Sequence, residues 1–206
     1  LINKIRSRKS KIPLGISIGK NFNTTNEKAH LDYLYCLNKV YTYASYVAIN
    51  ISSPNTEGLR DLQHKSLFNT LLACLKKRQM ELTKEHGYKP LFIKISPDSK
   101  INQLEELFRA IKDHRIDGLI CCNTSTNHSY LEGKGGLSGA PLLEISNEIL
   151  RRARRSLGDD FPIIASGGVM TKNDYEKKIM AGASLVQIYT GLVYKGPSLV
   201  DEILNS

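Results

Sequence analysis

Six times along the 206-residue chain, a short apolar run is followed by an amphipathic helical pattern. The runs are rich in Ile, Val and Leu, as expected of parallel strands covered on both faces. They lie at about 12–18, 46–51, 91–96, 117–122, 162–166 and 184–189. The helical patterns lie at about 25–44, 64–86, 100–113, 141–157, 172–181 and 197–205. Strict alternation predicts a parallel α/β sheet, either open and doubly wound or closed into a barrel.

Polar side chains or glycines follow every predicted strand. They are Gly19 to Asn21, Ser52 to Asn55, Ser96 to Asp98, Asn123 to Ser125, Gly167 and Gly168, and Thr190 and Gly191. An open sheet binds its ligand at one switch point, whereas a barrel uses the carboxyl ends of most strands, so the pattern favours a (β/α)8 TIM barrel. No Gly-x-Gly-x-x-Gly or Walker-type loop follows any strand. Such a barrel has eight units in about 250 residues. Six units therefore mean either a fragment of a barrel or a wrong count, and we favour the fragment.

Three sites in the sequence carry helix-boundary signals. The stretch Thr24-Thr-Asn-Glu27 has the form of a capping box that opens the helix over 25–44. Thr171 and Asp174 form a similar pair before a later helix, and Gly158 is placed to end the helix over 141–157.

The charge and the cysteines narrow the class of protein. The chain has 29 Lys and Arg against 20 Asp and Glu, a net charge of +9, which fits nucleic acid, an anionic membrane surface or anionic ligands. No basic tract is interleaved with aromatic residues, so we favour solvated helix faces over nucleic-acid binding. The four cysteines show no C-x-x-C spacing, so no metal site or disulfide framework is expected. No apolar run reaches the roughly 18 residues of a membrane span, and we expect a soluble chain.

The stretch 46–60 ends an apolar strand in a cluster of small polar side chains. Ser53 is the candidate reacting group there, and the amides of Asn50 and Asn55 could hold a planar polar substrate. A serine hydroxyl is a weak base, so it would need a dry site and an acceptor for its proton. A simple hydroxyl turn or helix cap explains the same residues equally well.

Further candidates lie at the ends of other strands. Lys94 interrupts an apolar strand, where a desolvated ammonium needs an anion nearby unless its head reaches solvent at the strand mouth. Asn123 and Thr124 can aim an amide and a hydroxyl into the barrel mouth, or cap a helix. Three loops, at 135–139, 167–168 and 189–191, offer backbone N–H groups to a phosphate, although a single glycine more often marks only a turn.

Taken together, these segments resemble the dihydroorotate dehydrogenases of class 2 from residue 11 to the end. The resemblance rests on motifs that occur in the family's order. They are Gly15-Ile-Ser-Ile-Gly-Lys-Asn21, Asn50-Ile-Ser-Ser-Pro-Asn-Thr-Glu-Gly-Leu-Arg60, Ile93-Lys-Ile-Ser-Pro-Asp98, Asp117-Gly-Leu-Ile120 with Asn123 and Thr124, Gly135-Gly-Leu-Ser-Gly139, Ser166-Gly-Gly168 and Gly182-Ala-Ser-Leu-Val-Gln-Ile-Tyr-Thr190.

The resemblance implies an FMN-dependent enzyme of pyrimidine synthesis that oxidises (S)-dihydroorotate to orotate and passes the electrons to a membrane quinone. Ser53 lies where this class has its base, which takes a proton from C5 while hydride leaves C6 for the flavin N5. Class 1 relatives carry cysteine at that position. The implied substrate contacts are Asn50, Asn55, Asn123 and Thr124. The implied FMN contacts are Ser17, Asn50, Lys94, Cys122, Ser138, Gly139, Gly167, Gly168, Tyr189 and Thr190.

The sequence departs from the family pattern in three places. Ser17 stands where an asparagine is usual, Cys122 replaces a usual threonine, and the connection 127–134, which includes part of a substrate lid, is short. Residues 1–206 thus resemble the C-terminal portion of a single barrel domain, without its first two strands and the N-terminal helices for quinone and membrane. A bacterial protein attached peripherally to the cytoplasmic side of the membrane is expected, with the mitochondrial inner membrane as the alternative. An inactive fragment or binding scaffold, or another FMN barrel oxidoreductase such as a tRNA-reducing enzyme, are the other interpretations.

Overall fold

A computed structural model describes residues 1–56, 58–63, 65–127 and 135–205. The strands in these ranges are β1 (Gly15–Ile18), β2 (Tyr46–Asn50), β3 (Leu91–Lys94), β4 (Gly118–Cys121), β5 (Ile163–Ser166) and β6 (Leu185–Gln187). The α-helices are α1 (Ile2–Arg6), α2 (Ala29–Val40), α3 (Lys65–His86), α4 (Ile101–Asp113), α5 (Leu143–Leu157), α6 (Lys172–Met180), α7 (Thr190–Lys195) and α8 (Ser198–Leu204). Every predicted strand and helix is present. The sequence missed α7, because six residues are too few to show a helical period.

The strands form one parallel sheet in the order of the sequence, β1 to β6. Its register sets Ala48 opposite Phe92, and Phe92 opposite Gly118. The sheet curls until Gln187 on β6 donates a hydrogen bond of 3.4 Å to the Tyr46 hydroxyl on β2. The fold is therefore a curled half-barrel of six β/α units, which confirms the predicted barrel class with six of its eight units.

The main apolar core lies between the sheet and the helices on its outer face. Strand residues Val47, Ile49, Ile93, Leu119 and Ile163 have no exposed surface. Helix α5 shows how the sequence builds this layer, since Ile149, Leu150, Ala153 and Leu157 are buried on one side while Arg151 and Arg155 stay exposed. No helix in the described ranges is long and apolar enough to cross a membrane.

The inner face of the sheet holds a second, smaller cluster. Ala48, Phe92, Ile120 and Ile164 pack together there, with the Tyr46 ring edge-on to Phe92 at a centroid distance of 5.4 Å. Toward the two ends of the sheet this face is open, because β1 and β6 each pair on one side only within the described residues. Ser17 on β1 is exposed, and Leu185 on β6 is 63% exposed.

One of the three helix-boundary predictions is wrong. The Thr24 carbonyl accepts a hydrogen bond from the Lys20 ammonium, and α2 begins only at Ala29, after a 3-10 turn at Asn26–Lys28 that lacks a side-chain cap. The other two predictions are confirmed. The Asp174 N–H donates to the Thr171 hydroxyl at 3.2 Å, and Gly158 ends α5 with a φ of 95°.

The contrast between the covered middle and the open end of the sheet predicts a difference in stability. Ile93→Ala should lower the free energy of unfolding by about 2–5 kcal/mol, because it leaves a cavity in the main core. Leu185→Ala should change it by less than about 0.5 kcal/mol, because that side chain is mostly in solvent. Urea unfolding of the two variants measures both values. A large loss for Leu185→Ala would show that the open face is covered.

Candidate active site

The polar strand ends converge on one pocket of about 570 Å³ at the carboxyl end of the sheet. Its lining is Asn50, Ser53, Pro54, Asn55, Lys94, Cys122, Asn123, Thr124, Ser138, Gly139, Leu142, Ser166, Gly167, Gly168, Val169, Gln187, Ile188, Tyr189 and Thr190. Every residue proposed above for substrate or cofactor lies in this lining except Ser17. The pocket is therefore a single site to which the ends of β2 to β6 all contribute.

The floor of the pocket is a hydrogen-bonded group from three neighbouring strands. Asn123 Nδ2 donates to Asn50 Oδ1 at 3.1 Å and contacts the Ser52 hydroxyl at 3.2 Å. Ser52 in turn donates to the Lys94 carbonyl at 2.8 Å. Ser52 is fully buried, so it positions the two amides rather than meeting a ligand. The sequence shows it only as one of several small polar residues after β2 and gives no sign of this role.

Ser53 lies at the pocket wall, half buried. Its hydroxyl oxygen accepts a hydrogen bond of 3.3 Å from the Asn55 backbone N–H, which is the hydroxyl turn considered from the sequence. This contact fixes the loop while Ser53 still faces the pocket. No carboxylate or imidazole among the described residues hydrogen-bonds to it, so an acceptor for its proton has to come from a ligand or from water.

Lys94 ends β3 and faces the pocket. Its ammonium has no hydrogen-bond or ion-pair partner among the described residues. Burial lowers the pKa of Lys94 below its ordinary value, an effect that the charge of a Cys122 thiolate would oppose. A desolvated cation without a protein partner favours a ligand with negative charge beside it.

The loop before α5 closes one side of the pocket. Ser125 and Leu137 pair as an antiparallel bridge with N···O distances of 3.1 and 2.7 Å. A β-carbon on Gly136 would lie 2.0 Å from Thr124 Oγ1, so only glycine allows this loop to approach Thr124 so closely. Further along, the Thr190 and Ser138 hydroxyls are 2.9 Å apart. These contacts join the loop ends of β4 and β6.

The turn after β5, at Gly167 and Gly168, forms a corner of the pocket that is lined by backbone groups. Gly168 has a φ of +90°, and a β-carbon there would lie 2.4 Å from the Leu143 Cα at the start of α5. The N–H groups of Gly167 and Gly168 donate to no acceptor among the described residues. Free N–H groups beside a helix N-terminus are a favourable setting for an anion such as phosphate.

An ion pair that the sequence analysis missed connects three of the loops around the pocket. Arg60 donates to Asp98 Oδ2 and to the Thr126 hydroxyl, each at 2.8 Å, and to the Thr124 carbonyl at 3.2 Å. Asp98 also accepts from the Thr126 N–H at 2.7 Å and from the Ser125 hydroxyl at 2.5 Å. Both residues belong to motifs quoted above, but nothing in the sequence pairs them. We call Arg60, Asp98, Ser125 and Thr126 the loop clasp.

The clasp keeps Asp98 ionised. Burial by itself would raise the pKa of Asp98, but hydrogen bonds from Ser125 and Thr126 and the charge of Arg60 outweigh it and hold that pKa below its ordinary value. The carboxylate is only 17% exposed in its side chain, so solvent screens the pair weakly. The loop that carries Ser53 is thereby fixed relative to the loop that carries Asn123.

Ser17 lies apart from the other predicted residues. It lies on the inner face of the sheet, where it pairs with Ala48 of β2, two residues before Asn50. It does not line the pocket. Its proposed flavin contact stays a prediction. Conversely, Gln187, Ser166 and Leu142 line the pocket without having been singled out. The connection interpreted as a short lid lies, beyond Asn127, outside the described residues. The described residues contain no group of three or more His, Cys, Asp or Glu that could hold a metal ion.

Comparison with known proteins identifies the family. The sequence profile of the dihydroorotate dehydrogenases matches residues 1–206. The chain belongs to the dihydroorotate dehydrogenase family. A dihydroorotate dehydrogenase (quinone) of Janthinobacterium sp. (strain Marseille) is 50% identical over an alignment of 196 residues that covers 92% of this chain and 57% of the relative. One of Aliivibrio salmonicida is 45% identical over 213 residues, covering 100% of this chain and 63% of the relative.

Solved dihydroorotate dehydrogenases share the fold. The ligand-free enzyme of Eimeria tenella superposes with a TM-score of 0.87 at 32% identity, covering 98% of this chain and 62% of that one. The same enzyme in complex with ferulenol also gives 0.87, at 31% identity. The chain thus spans about three fifths of the length of the relatives it matches.

The loop clasp predicts a pH-dependent loss of stability in Asp98→Asn. Removing the carboxylate leaves the Arg60 guanidinium partly buried without its charged partner, which should cost about 1–3 kcal/mol at neutral pH. Because folding lowers the pKa of Asp98, its contribution is present above the ordinary Asp pKa of about 3.9 and is lost as the pH falls through the folded-state pKa.

Urea unfolding at several pH values measures this effect, with the exposed Glu106→Gln on α4 as the matched control. We expect the difference between wild type and Asp98→Asn to shrink below about pH 4. A difference that stays constant down to low pH would contradict an ionised Asp98 in the clasp.

Proposed function

We propose that this protein is an FMN-dependent dihydroorotate dehydrogenase that oxidises (S)-dihydroorotate to orotate in pyrimidine synthesis, with a quinone as the electron acceptor. The names of the relatives support the reaction and the acceptor. The observation that carries the proposal is that one pocket is lined by Ser53, by Lys94, whose ammonium has no partner among the described residues, and by the Gly167–Gly168 corner.

The residues of the pocket fit FMN. The corner at Gly167 and Gly168 supplies free N–H groups with no β-carbon in the way, which suits the phosphate. Ser138, Gly139, Tyr189 and Thr190 continue that corner along the end of β6. Lys94, Asn50 and Cys122 line the same pocket at the ends of β2, β3 and β4, and in this proposal they contact the isoalloxazine ring, with Ser17 as a further contact from β1. When bound, FMN supplies the two-electron acceptor for the oxidation.

The same pocket offers a place for the substrate. Asn50, Asn55, Asn123 and Thr124 present amides and a hydroxyl around Ser53, which suits the ring amides and carboxylate of dihydroorotate. In this arrangement the Ser53 hydroxyl removes the proton from C5. The hydrogen bond from the Asn55 N–H holds Ser53 Oγ, and the clasp keeps its loop beside Asn123. Lys94 favours negative charge developing in the pocket.

The electron acceptor and the location are proposed on the same basis. We propose that the quinone contacts lie in the part of the relatives that residues 1–206 do not match. We also propose that the protein attaches peripherally to the cytoplasmic side of a bacterial membrane. The relatives named above for their quinone dependence are bacterial. The mitochondrial inner membrane is the alternative location.

A second candidate follows from the open ends of the sheet. Ser17 and Leu185 leave part of the inner face exposed, so residues 1–206 alone could act as a binding scaffold that holds FMN without turning over substrate. Another FMN barrel oxidoreductase has less support, because relatives at 44–50% identity are named dihydroorotate dehydrogenase (quinone).

A turnover assay of the chain mixed with FMN, dihydroorotate and a soluble quinone tests the proposal, with orotate formation as the readout. Ser53→Ala should lower the rate by about 10²–10⁴-fold through loss of the base, while FMN stays bound. Ser66→Ala, an exposed serine on α3, is the control and should match wild type. FMN binding without orotate formation would favour the scaffold, and absence of both would refute the proposal.

A further inference from the structure

We propose that Lys178 is a buried cation that attracts the phosphate bound at Gly167 and Gly168 and that holds this turn in shape through Ser146. The inference rests on the proposed function, because it assigns a residue outside the pocket lining to the phosphate end of the ligand. Lys178 does not touch the ligand in this account. It acts through Ser146 and through its charge, so it is a positioning residue.

Lys178 occupies an unusual place for a lysine. It lies on the inner side of α6 and has no exposed surface. Its ammonium donates to the hydroxyl of Ser146, which is also buried, on the first turns of α5. That hydroxyl lies 3.1 Å from the Gly167 carbonyl and 2.7 Å from the Leu142 carbonyl. The Ser146 hydroxyl has a single proton to donate, and the Leu143 carbonyl at 3.0 Å is a third acceptor within range. The ammonium is therefore connected to the turn after β5 by its hydrogen bond to Ser146 and by the 3.1 Å contact of Ser146 with the Gly167 carbonyl.

This connection sets the direction of the peptide group between Gly167 and Gly168. In a trans peptide the carbonyl and the following N–H point in opposite directions. Because the Gly167 carbonyl is turned toward Ser146, the Gly168 N–H is directed away from Ser146. That N–H has no acceptor among the described residues, and Gly168 lines the pocket. The turn thus presents a donor to the pocket, while its carbonyl lies against the Ser146 hydroxyl on the other side.

The charge of Lys178 lacks a partner of equal strength in the described part of the chain. The groups facing it are the thiols of Cys121 and Cys122 on the β4 end, Glu144 on α5 and Asp174 on α6. No carboxylate in the described ranges forms an ion pair with it, and burial lowers the pKa of Lys178 to about 8 despite these neighbours. Burial also raises the pKa of the Cys121 thiol well above its ordinary value, so Cys121 is neutral at pH 8. A phosphate dianion at the Gly167 corner would supply the missing anion.

Comparing the binding of FMN with that of riboflavin isolates the contribution of the phosphate group, because riboflavin lacks it. Lys178→Met should weaken FMN binding by about tenfold, the effect of losing one nearby charge, and leave riboflavin binding within about twofold. Lys177→Met removes a charge from the same helix without touching Ser146 and should bind both as wild type does. Isothermal calorimetry measures the affinities, and inorganic phosphate gives a third ligand.

Proton uptake by the wild-type chain gives a second test that needs no variant to fold. Near pH 8, a nearby dianion should raise the pKa of Lys178, so FMN should bind with more proton uptake than riboflavin. The second phosphate pKa of about 6 keeps the ligand itself fully ionised there. Equal uptake for the two ligands, or equal weakening of both by Lys178→Met, would overturn the proposal for Lys178 alone. Wild-type chain that binds neither FMN nor phosphate would overturn the proposed function with it.

Discussion

The site depends first on the parallel hydrogen-bond ladder, which brings the carboxyl ends of successive strands to one edge of the sheet. Because the strands pair in sequence order, each loop after a strand meets the loops of its two neighbours. Register makes this specific, since Asn50 pairs with Lys94 across β2 and β3. A slip of β3 by one residue relative to β2 would turn Lys94 away from the pocket. The chemistry of the site is thus a consequence of how the strands pair.

The second dependence is electrostatic. Two cations flank the pocket, the partly buried Lys94 in its wall and the buried Lys178 behind the turn after β5. Neither has an ion-pair partner among the described residues. The clasp of Arg60 and Asp98, by contrast, satisfies its own charges and serves only to fix loops. The protein therefore neutralises charge where it needs rigidity and leaves positive charge uncompensated where the proposed ligand carries its phosphate and its reduced ring.

Much of this could be predicted from the sequence. Short apolar runs located every strand, and the polar residues after the strands located the pocket, because both signals lie in consecutive residues. The clasp, the burial of Ser52 and the bond from Lys178 to Ser146 could not be predicted, because each joins residues from elements that only the folded sheet brings together. The capping-box pattern at Thr24 is a local signal that its surroundings override. The Thr24 carbonyl accepts a hydrogen bond from the Lys20 ammonium, and α2 starts only at Ala29.

The central claim is that one pocket, built from the ends of β2 to β6, receives the flavin. Amide hydrogen exchange of the chain with and without FMN tests it most directly. The account predicts that FMN slows exchange at Gly167, Gly168 and the loops that carry Ser53, Asn123 and Gly139, and leaves the outer helices α3 and α4 unchanged. Protection confined to those helices, or no protection at the Gly167–Gly168 turn, would contradict it.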